Sequence, residues 1–234
     1  MSAALIFVHG SGDSRRIWRE QTAYFSGAQA IDLPGHGQRA DTLPTSASVA
    51  DYARSVHDCI SNELRIERPI IAGHSLGGAI ALQMGLDEDK RPGGLILIGT
   101  GARLRVHPAL LEEAERAPEQ AKIHLTELGT TEEHFSKIGR AVLEEREQES
   151  LFRLHRDLAA CDRFDVMSRL ADIDLPVLII CGAQDRLTPV KYSEYLHQHI
   201  AHSRLVVVER AGHYVMREQP GAVNEAIERW LSEG

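Results

Sequence analysis

The sequence predicts an α/β protein with a mainly parallel central sheet of about six strands, helices on both faces of the sheet, and one helical insertion. Three observations indicate this fold class. Short apolar runs recur along the chain, stretches with helical periodicity lie between most of them, and residues 102–170 show helical patterns but no strand-like run. A chain of 234 residues is long enough to bury a substantial core.

The predicted strands are short segments that are apolar throughout, rather than alternating with polar residues. Strands buried on both faces have this composition, and such strands are typical of parallel sheets. The segments are ALIFV (4–8), AQAID (28–32), PIIAG (69–73), GLILIG (94–99), PVLIICG (176–182) and RLVVVE (204–209).

The stretches between these strands place apolar residues at the spacing of one helix face. Residues 48–64 do so with Val49 and Val56 among others, and Ser48 is a suitable residue to cap the N-terminus of that helix. Residues 221–233 show the same periodicity. Alternation of strands and helices predicts a parallel sheet covered on both faces.

Residues 102–170 form the predicted insertion, a helical cap between two strands of a core that comprises residues 1–101 and 171–234. A connection of this length is too long for a simple crossover. The charged run at residues 144–149 is interpreted as a solvated helix face. Three stretches have amphipathic helical patterns: PALLEEAERAPEQAKIHLTEL, TEEHFSKIGRAVLEEREQ and ESLFRLHRDLAAC.

Composition limits the classes of partner and compartment. The net charge of −8 argues against nucleic acid or an anionic membrane as a partner. Three cysteines without metal-ligand spacing are expected to be reduced thiols, and no apolar run has the length of a signal peptide or a membrane span. We therefore expect a cytoplasmic protein, monomeric or homodimeric, that acts on a small molecule.

The segment Gly73-His74-Ser75-Leu76-Gly77 matches the pattern G-x-S-x-G between a buried strand and a helix. Residues two before and two after the serine crowd the backbone of such a turn, so only glycine fits there. The turn raises Ser75 Oγ at the carboxyl end of the sheet, where ligands bind in this class of fold. Ser75 is therefore the predicted nucleophile.

A serine hydroxyl needs a general base, and His213 is the predicted base among the twelve histidines. It lies on the loop that follows the last predicted strand, at the carboxyl end of the sheet. The histidines at 197, 199 and 202 precede that strand, and those at 57, 107, 124, 134 and 155 lie on helices or in the insertion. Structural roles are expected for His9, His36 and His74, although each lies close enough to the site for another role to stay open.

The imidazole in turn needs an acid that fixes its tautomer and stabilises its cation. Asp185 follows the strand PVLIICG, also at a carboxyl end, and is the predicted acid. Asp162 and Asp165 are the rivals, but both belong to the end of the insertion. The chain order serine, aspartate, histidine is the one that accompanies a G-x-S-x-G turn.

The fourth predicted component is an oxyanion hole. One donor is the backbone N–H of Leu76, the residue after the nucleophile. The second is the N–H of Ser11, in the segment HGSGDS that follows the first predicted strand. Glycines at positions 10 and 12 allow the sharp turn that this loop needs.

These motifs, FVHGSGDS, IDLPGHGQR, AGHSLGG, PVLIICGAQDRLTP and RAGHYVMREQP, resemble those of the α/β-hydrolase superfamily in order and position. The resemblance is to its serine esterase and lipase-like members and the cofactor-free haloperoxidase-like branch. Members usually carry two further strands before the HG strand, so here AQAID is expected at a sheet edge, as a dimer contact or a solvated strand. The resemblance covers the core and hardly extends to the insertion.

The predicted function is hydrolysis of a carboxylic ester through an acyl-enzyme, without a metal ion or an organic cofactor. C–C bond hydrolysis, thioester hydrolysis and perhydrolysis on the same triad stay open as alternatives. A ligand receptor on the same fold, without catalysis, also stays open. Ser75 counts against the dehalogenases and epoxide hydrolases of this fold, which use aspartate as nucleophile.

Overall fold

The computed structural model describes residues 4–88, 91–146 and 152–233. Its strands are β1 (Leu5–Val8), β2 (Gln29–Ile31), β3 (Ile70–His74), β4 (Gly94–Ile98), β5 (Val177–Gly182) and β6 (Ser203–Val208). Within the described residues they form a six-stranded sheet in the order β2-β1-β3-β4-β5-β6, with every neighbouring pair parallel. The predicted parallel sheet is therefore confirmed, and the run AQAID forms the edge strand β2.

Helices connect these strands and cover the sheet. The α-helices are α1 (Arg19–Tyr24), α2 (Val49–Asp58), α3 (Leu76–Gly85), α4 (Pro108–Arg116), α5 (Pro118–Gly129), α6 (Glu132–His134), α7 (Arg140–Arg146), α8 (Phe152–Arg163), α9 (Val190–His199), α10 (Val215–Glu218) and α11 (Pro220–Glu233). Turns of 3₁₀-helix span Arg15–Trp18 and Met167–Asp172, and π-helical turns span Cys59–Leu64 and Phe135–Gly139.

Alternate residues of each central strand point to opposite faces of the sheet, and both faces are buried. Ile6 and Val8 belong to the apolar cluster that packs against α2 and α3. Leu5 and Phe7 belong to the cluster that contains Trp18 and the apolar residues of α11. Burial on both sides explains why the strand sequences are apolar throughout.

Local sequence signals set the helix ends. The Ser48 hydroxyl accepts a hydrogen bond from Asp51 N–H and the Asp51 side chain accepts one from Ser48 N–H, a capping box that confirms the predicted N-cap. The first amphipathic stretch of the insertion is two helices rather than one. Pro118 occupies the first position of α5, because proline has no N–H to donate within a preceding helix and is tolerated at a helix start.

Residues 102–170 contain α4 to α8 between β4 and β5, and we call them the 102–170 segment. The last predicted helix there begins at residues that lie outside the described ranges. Ala121, Leu125 and Leu158 belong to an apolar cluster internal to the segment. Its two ends pack differently, because Leu104 and Phe164 belong to the cluster of the sheet and α3. The segment is thus anchored in the main core at both ends.

Candidate active site

Ser75 occupies the turn between β3 and α3 with φ 53° and ψ −115°, a backbone conformation that costs energy for a residue with a side chain. Glycine is required on both sides of it. A Cβ on Gly73 would lie 2.1 Å from the Gly77 carbonyl oxygen, and a Cβ on Gly77 would lie 2.2 Å from the Val8 carbonyl oxygen. The turn is therefore packed so tightly that no side chain fits between these segments. Ser75 lines a cavity at the carboxyl end of the sheet.

Asp185 follows β5 and His213 follows β6, and the structure brings the two side chains together. His213 Nδ1 lies 2.9 Å from Asp185 Oδ2, and both side chains are buried. An ionised carboxylate only accepts hydrogen bonds, so His213 Nδ1 carries the proton and Nε2 is left as the acceptor. His213 lines the same cavity as Ser75.

The Asp185 carboxylate is held by further donors. Its Oδ1 accepts the N–H groups of Leu187 and Thr188, each at 2.8 Å, and its Oδ2 accepts the Thr188 hydroxyl at 2.8 Å. Burial alone would raise the pKa of Asp185, but His213 and these hydrogen bonds hold it below its usual range. The carboxylate is therefore ionised and fixed in one orientation towards His213.

The rival acids lie elsewhere. Asp162 accepts a hydrogen bond from Val106 N–H at 3.1 Å, and the exposed Asp165 pairs with Arg103. The rival histidines 197, 199 and 202 lie at the far end of α9 and its following turn, where they contact Ser203, Tyr195 and Asp174. Of these candidates, the structure places only Asp185 beside His213 within the described residues.

His74 is a neighbour of the site whose contacts sequence reasoning did not supply. Its Nε2 donates to the His213 carbonyl oxygen at 3.0 Å, and its ring centroid lies 4.6 Å from that of His213. Burial, together with the nearby His213, lowers the pKa of His74 to about 3. His74 is therefore neutral at physiological pH and adds no positive charge beside His213.

His9 and His36 hold the turns that follow β1 and β2. His9 Nε2 accepts the Leu33 N–H at 2.9 Å and its Nδ1 donates to the Gly10 carbonyl at 2.8 Å. Burial lowers the pKa of His9 to about 4, with His36 the second cause. His36 Nε2 lies 2.9 Å from Asp157 on α8. Both rings connect loops at the carboxyl end of the sheet.

The two residues predicted for the oxyanion hole flank Ser75 on different segments. Leu76 is the first residue of α3, and N–H groups in the first turn of a helix have no intrahelical acceptor. Ser11 lines the same cavity as Ser75. The loop containing Ser11 runs close to the nucleophile, because a Cβ on Gly10 would lie 3.2 Å from the Cβ of Ser75.

The interpretation of residues 144–149 as a solvated helix face is wrong for Arg146. Its side chain is 4% exposed and its Nε donates to Asp13 Oδ1 at 2.6 Å. Glu145 is partly buried and accepts two hydrogen bonds from Arg217. Residues 147–149 lie outside the described ranges. A local charge pattern does not reveal partners that lie 72 or 133 positions away along the chain.

The cavity has a volume of about 760 Å³ and lies between the sheet end and the 102–170 segment. Ser75 and His213 line it, together with Asp13 and Arg146. Leucines 104, 110, 125, 128, 158 and 187 supply much of its lining. Charged and polar side chains line it as well, among them Arg105, Glu113, His124 and Arg186. A cavity with both apolar and polar lining groups is typical of a small-molecule site.

Across residues 4–88, 91–146 and 152–233, histidine, cysteine and acidic side chains form no group of three suited to a metal ion. Within the same ranges, none of the helices is both long enough and apolar enough to span a membrane. The three cysteines, Cys59, Cys161 and Cys181, are buried free thiols.

Comparison with known proteins agrees with this architecture. The model of the alpha/beta hydrolase family matches residues 5–226, and the chain therefore belongs to that family. A 3-oxoadipate enol-lactonase of Acinetobacter baylyi is 28% identical over 235 residues, covering 96% of this chain and 87% of that protein. A pimeloyl-(acyl-carrier protein) methyl ester esterase of Neisseria meningitidis is 30% identical over 224 residues, covering 88% and 84%.

Solved structures give the same fold. A structure described as a thermophilic esterase shares 36% identity and a TM-score of 0.84, and the match covers 98% of this chain and 89% of that one. The enol-lactonase of Burkholderia xenovorans has a TM-score of 0.89 at 20% identity, a likeness of fold alone. The chain is thus similar to esterases and lactonases over nearly its whole length.

Proposed function

We propose that this protein is a serine hydrolase that cleaves carboxylic esters through an acyl-enzyme, with Ser75 as nucleophile, His213 as general base and Asp185 as the acid that orients the base. One observation carries the proposal. Ser75, in a strained turn that only glycines allow, shares one cavity with a histidine whose Nδ1 is bound by a buried carboxylate. The relatives named as esterases and an enol-lactonase support ester-type substrates, since a lactone is an internal ester.

The chemistry follows from these positions. Ser75 Oγ attacks the acyl carbon while His213 Nε2 takes its proton, and the carbonyl oxygen becomes an oxyanion bound by the N–H groups of Ser11 and Leu76. His213 then returns the proton to the leaving alcohol as the C–O bond breaks. Water then attacks the acyl carbon while His213 Nε2 takes its proton. The bond between the acyl carbon and Ser75 Oγ breaks as His213 returns the proton to Ser75, and the carboxylic acid is released.

The substrate class follows from the cavity and its cover. We assign residues 102–170 as a cap over the nucleophile, and residues 1–101 and 171–234 as the hydrolase core. A cavity of about 760 Å³ with a leucine-rich lining suits an aliphatic ester of short or medium length. Two rival functions are another hydrolysis on the same triad and a non-catalytic receptor. Turnover of simple esters separates the proposed esterase from the receptor, because a receptor releases no acid from them.

The nucleophile assignment predicts that a fluorophosphonate probe labels Ser75. Ser75→Ala is expected to abolish labelling and to lower kcat by about 10⁴- to 10⁶-fold, because a triad member is removed while the fold is kept. Ser61→Ala is the matched control, since Ser61 Oγ also lies beside a histidine, 3.2 Å from His57 Nε2, but on the exposed surface. Mass spectrometry of the labelled peptides and p-nitrophenyl ester kinetics measure both effects. Labelling that survives Ser75→Ala would refute the assignment.

The acid assignment predicts a large effect at Asp185 and a small one at Asp162. Asp185→Asn is expected to lower kcat by up to about 10⁴-fold, because the amide favours the wrong imidazole tautomer. Asp162→Asn retains an oxygen that accepts the Val106 N–H and is expected to change kcat by less than about twofold. Steady-state kinetics on one ester compare the two variants. Near-full activity in Asp185→Asn with loss in Asp162→Asn would reverse the assignment.

The cavity predicts a dependence on acyl length. Within a series of p-nitrophenyl esters, kcat/KM is expected to be highest for short and medium acyl chains and to fall for long ones, since the cavity bounds the acyl group. The common leaving group keeps the intrinsic reactivity constant across the series. Activity that rises sharply on emulsified long-chain triglyceride, relative to the dissolved esters, is the result that would contradict this preference.

A further inference from the structure

The loop that follows β1, His9–Ser14, supplies Ser11 to the site and has little internal hydrogen bonding of its own. A bond from Asp13 N–H to the Gly10 carbonyl at 3.3 Å spans it. Its position therefore depends on groups from outside. Two of these come from helices of the 102–170 segment, Arg146 at the end of α7 and Asp157 in α8.

These two side chains hold opposite ends of one peptide unit. Arg146 Nη2 donates to the Ser11 carbonyl oxygen at 2.8 Å, and Asp157 Oδ2 accepts the Gly12 N–H at 2.9 Å. The Ser11 carbonyl and the Gly12 N–H belong to the same planar peptide group. Fixing both ends fixes the plane of that group.

The Ser11 N–H belongs to the preceding peptide, whose Gly10 carbonyl accepts hydrogen bonds from His9 Nδ1 at 2.8 Å and from Asp13 N–H at 3.3 Å. The two adjoining peptide planes are therefore both held, and with them the direction of the Ser11 N–H.

Arg146 is suited to this position because its guanidinium donates to three acceptors, the Ser11 carbonyl, Asp13 and Thr126 Oγ1. While Nη2 contacts the Ser11 carbonyl, Nε donates to Asp13 Oδ1 at 2.6 Å, and the two side chains are only 4% and 3% exposed. Burial alone would lower the pKa of Arg146 and raise that of Asp13, but their mutual attraction reverses both directions. The ion pair is therefore kept at physiological pH, and a lysine, with one compact charge, does not reproduce both contacts.

Asp157 is equally constrained. Its side chain is fully buried, its Oδ1 accepts the Tyr52 hydroxyl at 2.5 Å, and its Oδ2 also lies 2.9 Å from His36 Nε2. Although burial alone would raise its pKa, these partners and the Gly12 N–H lower it, so the group is an ionised acceptor. The close fit extends to Gly12, where a Cβ would lie 2.9 Å from Leu154 Cδ1 of the same helix α8.

We infer that Arg146 and Asp157 are positioning residues that orient the Ser11–Gly12 peptide and thereby aim the Ser11 N–H at the oxyanion. The inference rests on the proposed function, since it assigns a role within that oxyanion hole. It makes the 102–170 segment part of the catalytic machinery as well as a cover for the cavity. Neither side chain touches the reacting atoms in this role.

A positioning role and a merely structural role differ in what they change. Misdirecting an oxyanion donor weakens binding of the tetrahedral state and leaves binding of the ground-state ester almost unchanged. The probe is therefore an alkyl trifluoromethyl ketone. Ser75 Oγ adds to its carbonyl carbon, the serine proton passes to His213, and the carbonyl oxygen becomes an oxyanion, so its inhibition constant reports on the oxyanion hole.

The test compares Arg146→Lys with Arg217→Lys. Arg217 is also a buried arginine in an ion pair, with Glu145, the residue adjacent to Arg146. Among the described residues, it forms no hydrogen bond or ion pair with residues 9–14. In Arg146→Lys we expect kcat to fall about 10- to 100-fold with KM within about threefold. The ketone's inhibition constant should rise by the factor by which kcat/KM falls. Arg217→Lys should leave all three within about twofold.

A second variant distinguishes loss of the Ser11 contact from misfolding of the protein. Asp13→Leu/Arg146→Met removes the Ser11 contact without leaving an unpaired buried charge, an exchange that is often neutral for stability. Circular dichroism and thermal unfolding establish that each variant is folded. A folded double variant with weakened ketone binding and an unchanged KM supports the inference.

The inference is overturned if a folded Arg146→Lys or double variant keeps both kcat and ketone affinity within about twofold of the parent protein. It is also overturned if KM and the ketone's inhibition constant rise together by the same factor, as general damage to the cavity would cause. Failure of the proposed function has a different signature. In that case the parent protein itself shows no turnover of esters that depends on Ser75, and no inhibition by the ketone.

Discussion

The site depends on the close approach of three backbone segments at the carboxyl end of the sheet. The turn at Ser75 is pressed against the end of β1, so that Gly77 lies where any Cβ would be 2.2 Å from the Val8 carbonyl oxygen. Gly10, on the loop that continues β1, also lies near this turn, where a Cβ would be 3.2 Å from the Ser75 Cβ, and Gly73 has no space for a side chain. The strained backbone of Ser75 is tolerated because its surroundings leave no relaxed alternative.

Several buried carboxylates lie around this turn, and all are stabilised in the same way. Asp185, Asp13 and Asp157 are each buried, and each has its pKa held below its usual range by cationic or hydrogen-bonding partners. A buried carboxylate without such partners would be costly, so each fixes the groups around it. Asp185 fixes an imidazole, whereas Asp13 and Asp157 fix a loop through contacts with the 102–170 segment. The catalytic hypothesis therefore involves the 102–170 segment as well as the loops at the carboxyl end of the sheet.

The sequence predicted those features that arise from local chemistry. Apolar runs indicated buried parallel strands, glycine spacing indicated the turn at Ser75, and the order of Asp185 and His213 along the chain placed both at strand ends. Features that depend on distant contacts were not accessible. Arg146 belongs to a charged run that reads as a solvated surface, yet its acceptors lie at Ser11 and Asp13, 135 and 133 positions away. A single sequence carries no signal for such pairing, because either partner alone resembles an ordinary surface residue.

The most direct test of the account is whether Ser75 carries the acyl group during turnover. A p-nitrophenyl ester of trimethylacetic acid acylates the serine of a serine hydrolase and releases p-nitrophenol. The trimethylacetyl group then leaves the serine slowly, because its carbonyl carbon is crowded. Stopped-flow measurement should show a burst of about one equivalent of p-nitrophenol. Acid-quenched protein should gain the mass of the trimethylacetyl group on the peptide that contains Ser75. Sustained hydrolysis with neither a burst nor a covalent adduct on Ser75 would contradict the account.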